Sequence, residues 1–155
     1  MKPTFRKIPF AAASVAVCLA LSAGPGGAVN SDSTTPASQP GYSEAKAAAD
    51  AGRYPAALKI LATVVKAEPR NADALNLMGY SNRKMKRYEE AARYYEAALK
   101  ANPKHLGALE YQGELFIETG DFVKAKTNRD RLAALCGTCE ELADLQAALA
   151  AAGQS

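Results

Sequence analysis

The sequence predicts an all-α fold of about three helix–turn–helix units followed by a capping helix. Two observations support this prediction. Small, aromatic and proline residues recur at intervals of 34 residues, and the apolar residues between them are spaced three and four apart, as on one face of a helix. Several residue types in phase indicate a structural repeat, with two helices in each unit.

Residues 1–28 are predicted to be a signal peptide. A basic start, MKPTFRK, precedes the apolar segment IPFAAASVAVCLALSA, which is short for a membrane span, and small residues favour cleavage after Ala28. A retained anchor is the alternative. Cys18 follows Val17, whereas a lipoprotein signal needs a small residue there, so Cys18 is interpreted as part of the removed segment. We expect a periplasmic or secreted protein with no stable membrane insertion after cleavage.

Removal of this segment also changes the charge. The chain has 19 Lys and Arg against 16 Asp and Glu, and three of the bases and none of the acids lie before residue 29. A neutral mature protein disfavours nucleic acid as a partner, because affinity for nucleic acid depends on neutralising phosphates. The polar residues 29–40, rich in Ser, Thr and Pro, are predicted to be a flexible linker before a folded domain at 41–152.

The repeat units are expected at about residues 41–71, 72–105 and 106–139. The positions in phase are Tyr54, Tyr88 and Phe122; Ala57, Ala91 and Ala125; Ala45, Gly79 and Gly113; Val64, Ala98 and Leu132; and Pro69 and Pro103. Gly79 and Ala91 are interpreted as small because two helix axes cross closely there. Pro103 should end a helix, whereas Pro55 suits the first position of one.

The period and these residues resemble tetratricopeptide repeats. The segments GYSNRKMKRYEEAARYYEAALKANP and GELFIETGDFVKAK match best, and the resemblance covers about residues 41–139. It implies a right-handed superhelix in which the first helix of each unit lines a concave groove. Three departures stand out: the first helix of unit one starts late, Lys86 replaces the glycine found at 52 and 120, and the third unit has Arg129 for Leu61 and Tyr95 and Gly137 for the proline.

The segment ELADLQAALAAAG predicts a capping helix at 139–152, with Leu142, Leu145 and Leu149 on one face. Thr138 and Glu141 have the spacing of a capping box at its start.

Cys136 and Cys139 are an even pair in a chain expected to be exported, which favours a disulfide that joins two helices. Redox activity and metal binding remain alternatives. The redox alternative lacks the usual strand, and Glu140 beside Cys139 would oppose a thiolate. A metal site would need further ligands, and the only histidine is His105.

The resemblance implies that the groove is lined by Tyr42, Lys46, Asn76, Tyr80, Arg83, Lys84, Glu110, Glu114 and Glu118. The three glutamates recur every four residues and should form an acidic stripe beside a basic cluster that starts at Arg83. On a solvated face we expect Lys84 and Glu118 to pair. Some members of the family bind a C-terminal carboxylate, but Gly107 and Tyr111 occupy the corresponding third-unit positions, so that site is expected to be absent.

No nucleophile with a base, no phosphate-binding glycine loop and no cluster of metal ligands is visible, so we expect neither an enzyme nor a cofactor. The sequence favours an exported adaptor that binds another protein or peptide. A thiol redox protein or accessory factor that uses Cys136 and Cys139 is the alternative.

Overall fold

The computed structural model describes residues 41–154, and these residues form seven helices and no strand. The helices are α1 (Tyr42–Asp50), α2 (Tyr54–Ala67), α3 (Ala72–Lys84), α4 (Tyr88–Ala101), α5 (Leu106–Glu118), α6 (Phe122–Cys136) and α7 (Glu140–Ala151). The predicted all-α fold is confirmed. The predicted signal peptide and linker, residues 1–40, lie outside the described residues. Within residues 41–154, no helix has the length and apolar character needed to cross a bilayer.

The helices form two layers. The first helix of each unit contacts the first helix of the next, α1 with α3 and α3 with α5, and α7 continues this row beside α5. Each second helix, α2, α4 or α6, packs against the first helices before and after it. We refer to α1, α3, α5 and α7 as the first-helix layer.

The same turn joins the two helices of each unit. Gly52, Lys86 and Gly120 have φ values of 72°, 60° and 81°. The next residue then donates its N–H to a carbonyl five residues earlier, as in Arg53 to Ala48 at 2.8 Å, with equivalent bonds in the other two units. This is the Schellman ending of a helix, which needs one left-handed residue and therefore favours glycine. Lys86 adopts the conformation in spite of its side chain.

The helix crossing in the middle unit depends on Gly79. A Cβ atom at this position would lie 2.5 Å from Cε1 of Tyr95, and Tyr95 is fully buried. The interpretation of Gly79 as a crossing position is therefore confirmed.

In the third unit, the space beside the glycine at the helix crossing is filled by a residue of another helix. Arg129 occupies the position of Tyr95, but its side chain is partly exposed and pairs with Asp130 at 2.7 Å. The space above Gly113 is filled instead by Leu145 of α7, whose Cδ2 would lie 2.6 Å from a Cβ at 113. Thus α7 contributes the apolar residue that the third unit lacks.

Polar side chains cap the helices that begin the second and third units. Asn71 accepts a hydrogen bond from the Ala74 N–H at 2.9 Å, and Nδ1 of His105 accepts one from the Ala108 N–H at 3.1 Å. Nε2 of His105 lies 3.1 Å from an oxygen of Asp73 in the first turn of α3. His105, the only histidine of the sequence, therefore has a structural role: it caps α5 and connects α5 to α3.

The predicted capping box at Thr138 is wrong. Gly137, with φ 69°, ends α6, and Cys139 takes the extended N-cap position of α7, without a side-chain cap. Thr138 lies within the tight turn, where its N–H donates to the Cys136 carbonyl at 2.7 Å. Pro55 was predicted at the first position of its helix, but α2 begins at Tyr54 and Pro55 is its second residue.

Because the first unit starts late, part of α2 is not covered by other residues of the range 41–154. Helix α1 has 9 residues, whereas α3 and α5 have 13 each. Beside Gly41, at the start of α1, an open cavity of about 560 Å³ is lined by α2 residues that include Ile60 and Val64.

We predict that Gly79→Leu strongly destabilises the protein, because the new side chain and the buried Tyr95 ring cannot share the helix crossing. Overpacking of this kind costs about 1–3 kcal/mol. Chemical denaturation followed by circular dichroism measures the effect, and Ala62→Leu at an exposed position of α2 is the matched control. Equal stability of the two variants would contradict this helix packing.

We predict that Lys86→Gly stabilises the protein by about 1 kcal/mol, because glycine removes the steric cost of a left-handed residue. The melting temperature should rise by a few degrees. Lys59→Gly, at an exposed position inside α2, should lower it by a similar amount through lost helix propensity. Loss of stability in both variants would be inconsistent with the turn geometry at Lys86.

Candidate binding surface

All nine predicted groove residues lie on the first-helix layer. Tyr42 and Lys46 are on α1; Asn76, Tyr80, Arg83 and Lys84 are on α3; Glu110, Glu114 and Glu118 are on α5. Their surroundings differ widely, however. Lys46 and Lys84 are exposed, Tyr42, Asn76 and Tyr80 are half-buried, and Arg83 and Glu110 are buried. The layer therefore combines an accessible surface with a charged interior.

Arg83 is the centre of this interior. Its side chain is 7% exposed and forms ion pairs with Glu114 and, at 2.6 Å, with Glu118, both on the next unit. Burial disfavours the charged form of Arg83 and by itself would lower its pKa. The neighbouring Tyr95, Glu114 and Glu118 have the larger combined effect, so the pKa of Arg83 is raised. The guanidinium is therefore fixed in its charged form between α3 and α5.

Two aromatic rings lie against the Arg83 guanidinium. The rings of Tyr80 and Tyr111 are 5.2 Å apart between centroids, and the Arg83 guanidinium lies 5.9 Å and 5.8 Å from them. Tyr54 continues the row with an edge-on contact to Tyr80 at 6.1 Å. The contacts with Arg83 are cation–π interactions, which fix the rings at the junction of the second and third units. We call Tyr54, Tyr80 and Tyr111 the tyrosine row.

Tyr95 supports the same cluster from the second helix of the unit. Burial raises the pKa of its hydroxyl well above the usual range, although the Arg83 charge opposes the shift. Tyr95 therefore stays neutral and acts as packing beneath the surface.

The expected pair between Lys84 and Glu118 is not formed. Glu118 pairs with Arg83 instead, and Nζ of Lys84 lies 5.8 Å from the centre of the Tyr80 ring. Lys84 is one residue further along α3 and points to the exposed side, whereas Arg83 faces α5. The charges that the sequence suggested for a solvated face are thus partly buried.

The acidic stripe is likewise divided. Glu114 and Glu118 are neutralised by Arg83, while Glu110 is 7% exposed and has no hydrogen bond or ion pair within residues 41–154. Burial raises the pKa of Glu110 to about 8, with further contributions from the nearby carboxylates of Glu114, Asp144 and Glu141, and against the opposing charge of Arg83.

This shift has a consequence for stability. The folded protein keeps the Glu110 proton up to about pH 8, whereas the unfolded chain loses it near pH 4.5. The contribution of Glu110 to stability is therefore complete below pH 4.5 and is lost as the pH rises through about 8.

At the other end of the layer, Lys46 pairs with Asp50 on its own helix at 2.7 Å. Burial, together with the charges of Asp73 and Asp50, raises the pKa of the half-buried Tyr42. Tyr42 also packs against the apolar core of the first unit, so of the two predicted groove residues on α1 only Lys46 is fully exposed.

The cysteine pair lies away from the tyrosine row, at the junction of α6 and α7. Cys136 is the last residue of α6 and Cys139 precedes α7, with their Cα atoms 5.7 Å apart and their sulfurs in contact. This spacing suits a disulfide. Both cysteines are half-buried against the core that α7 shares with α5 and α6. Among the described residues, no group of three or more His, Cys, Asp or Glu is arranged to hold a metal ion.

Sequence reasoning missed three residues of the layer: Tyr111 of the tyrosine row, and Glu141 and Asp144 of α7. The signal for Tyr111 was present, because it lies one helical turn after Gly107 and three residues before Glu114 on α5. For the α7 carboxylates there was no comparable signal, since their position depends on how α7 packs against α5.

Known structures share this fold. The Yersinia enterocolitica type III secretion translocator chaperone SycD has 18% identity and a TM-score of 0.65, with 73% of this chain and 89% of that chain covered. The first TPR of Spaghetti (RPAP3), solved with the HSP90 peptide SRMEEVD, has 18% identity and a TM-score of 0.62, with 71% and 90% covered. At this identity the likeness concerns the fold alone.

No curated protein sequence matches at a significant level. The family profile described as tetratricopeptide repeat matches residues 42–91 and 76–126, which together span more than half of the sequence. The chain belongs to the tetratricopeptide repeat family.

Proposed function

We propose that the protein is exported and acts as an adaptor that binds a peptide or protein segment along its first-helix layer. The observation that carries the proposal is the tyrosine row: Arg83 holds its Tyr80 and Tyr111 on α3 and α5 of that layer, and Tyr54 at the start of α2 contacts Tyr80. Aromatic side chains held rigidly lose little entropy on binding and often dominate the energy of an interface.

The polar residues around the row support the same function. Asn76 lies one turn before Tyr80 on α3, and the exposed Lys84 lies beside the Tyr80 ring. Such groups can orient a bound segment through hydrogen bonds and charge. Of the two solved relatives, the RPAP3 domain is in complex with a peptide, which adds a precedent for peptide binding on this fold.

The cysteine pair fits a structural disulfide better than a redox centre. It connects two helices whose packing closes the repeat array, and it lies apart from the tyrosine row. A bond between residues three apart closes a very short loop and adds only about 1–2 kcal/mol. Its proposed role is to set the angle at which α7 leaves α6.

We predict that Asn76→Ala together with Tyr80→Ala lowers peptide affinity about thirtyfold or more, the typical loss at an aromatic anchor. Phage-displayed peptides selected on the purified protein would supply ligands. Because Tyr80 contacts Tyr54 and Tyr111, the variant should also melt at a lower temperature. Tyr88→Ala, a half-buried change on α4, is the matched control and should lower stability while peptide affinity is retained.

Replacement of both Cys136 and Cys139 by serine tests the alternative function in the same assay. Peptide affinity should change less than in the groove variant, since the bond only positions α7. If the serine variant loses peptide binding and the groove variant keeps it, the cysteine pair is the working site and the adaptor proposal is wrong.

We predict that export removes the first 28 residues. The protein purified from cells that express the full chain should have an N-terminus near Val29, as determined by N-terminal sequencing. An intact N-terminus, or lipid attached to Cys18, would refute a soluble exported form.

A further inference from the structure

An acidic cavity lies where α3, α5 and α7 meet. Its volume is about 240 Å³, below the roughly 300–1,000 Å³ of sites for whole small molecules. It is lined by Asn76, Gly107, Glu110, Tyr111, Glu140, Glu141 and Asp144. Four of these seven residues carry a carboxylate, and none is a lysine or arginine.

Two buried polar groups in its wall lack partners. Glu110 has no hydrogen bond or ion pair within residues 41–154, although it is 7% exposed. Oδ1 of Asn76 is also buried without a hydrogen-bond partner in the described part of the chain. Burial of an acceptor without a donor is costly, so a group that donates hydrogen bonds would stabilise Oδ1 of Asn76, and it would also stabilise the Glu110 carboxylate in its ionised form.

Within residues 41–154, no cation supplies that group. The charge of Arg83 acts on Glu110, but the guanidinium pairs with Glu114 and Glu118 and lies against the rings of Tyr80 and Tyr111. The other carboxylates of the cavity, Glu140, Glu141 and Asp144, also have no ion pair in the described part of the chain.

We propose that this cavity receives a lysine or arginine side chain of the segment bound on the first-helix layer, an inference that rests on the proposed function. A lysine ammonium has three donors and an arginine guanidinium five, and neither has an acceptor, so both complement a wall of carboxylates and an amide oxygen. Tyr111 connects the cavity to the tyrosine row, so one extended segment can contact both.

A single side chain suits the cavity better than other cations. The carboxylates are not grouped as metal ligands within residues 41–154, and the volume suits one side chain. The proposal therefore concerns the partner's sequence: a basic residue next to the part that contacts the tyrosines.

Binding should depend on pH through Glu110. The charged groups acting on it are Glu114 on its own helix, Asp144 and Glu141 on α7, and Arg83 on α3. Because its pKa is raised to about 8, Glu110 is mostly neutral at pH 6 and mostly ionised at pH 9. A bound cation favours the ionised form, so affinity for a basic probe should increase roughly tenfold or more over this range.

The test uses blocked tripeptides, acetyl-Gly-Arg-Gly-amide and acetyl-Gly-Lys-Gly-amide, with the glutamine tripeptide as a neutral reference. The protein, purified after expression of the full chain and labelled with ¹⁵N, is titrated and observed by NMR. The basic tripeptides should shift the amide signals of Asn76, Tyr111 and the first turn of α7 in a saturable way, and the glutamine tripeptide should not.

Glu110→Gln combined with Asp144→Asn should weaken binding of the basic tripeptides at least tenfold and remove its dependence on pH. Glu89→Gln combined with Glu96→Gln changes the net charge equally on exposed positions of α4 and should leave binding unchanged. Asp144→Asn with Glu141→Gln is a second cavity variant that keeps the buried Glu110, in case the first does not fold.

Equal shifts from basic and neutral tripeptides, or equal affinity in the cavity and α4 variants, would overturn the proposal. Saturable binding of calcium chloride alone at lower concentration, with the same signals shifted, would assign the cavity to a metal ion instead. If selected peptides bind the tyrosine row but show no preference for a basic residue, the inference fails while the adaptor function stands. If the tripeptides bind and no longer peptide does, the cavity binds basic side chains, but the adaptor function is wrong and so is the assignment of that side chain to a bound segment.

Discussion

The buried charge of Arg83 determines much of the arrangement of the first-helix layer. A guanidinium this deeply buried is tolerated only when carboxylates and aromatic rings replace the lost water. Glu114 and Glu118 provide the counter-charge from the next unit, and Tyr80 and Tyr111 provide the rings. These contacts join the second unit to the third and at the same time hold the tyrosine row in place. Removal of one partner from such a cluster typically costs about 3–5 kcal/mol, so the layer and the proposed binding surface depend on the same residues.

The pairing of Arg83 also determines which charges remain available to a ligand. Two of the three glutamates on α5 are used within the protein, whereas Glu110 lies one turn before the pair, beside the carboxylates of α7. Burial, together with repulsion from these carboxylates, keeps Glu110 mostly protonated at neutral pH. The surface therefore has an exposed lysine beside the tyrosine row on α3 and an acidic cavity towards α7, and this asymmetry would favour one direction for a bound segment.

The fold could be predicted from the sequence because it depends on spacing. The 34-residue period located the paired helices, and the small residue at position 79 indicated their close crossing, as the contact with Tyr95 confirms. The site was predictable only in part. The nine residues that the resemblance implies lie on α1, α3 and α5, but the resemblance could not show that Arg83, and not its neighbour Lys84, reaches α5. That choice depends on the rotation of α3 against α5 by a fraction of a turn. The prediction of a helix cap at Thr138 was also wrong. Because of the tight turn after α6, the N-cap of α7 is Cys139, one residue later.

The acidic cavity forms because the third unit departs from the repeat pattern. In the middle unit Tyr95 fills the space beside Gly79, but in the third unit the equivalent residue is Arg129, which pairs with Asp130 and leaves the space beside Gly113 open. Leu145 of α7 fills it, and Leu142 and Leu149 bury the rest of the same helix face. Because Glu141 and Asp144 are close to these leucines in the sequence of α7, burial of the leucines brings both carboxylates beside Glu110. The helix that covers the apolar end of the repeat array therefore also builds one wall of the cavity. The presence of Arg129 at the position of Tyr95 weakens the repeat pattern in the third unit. The same replacement leads to the packing of α7 that forms the acidic cavity.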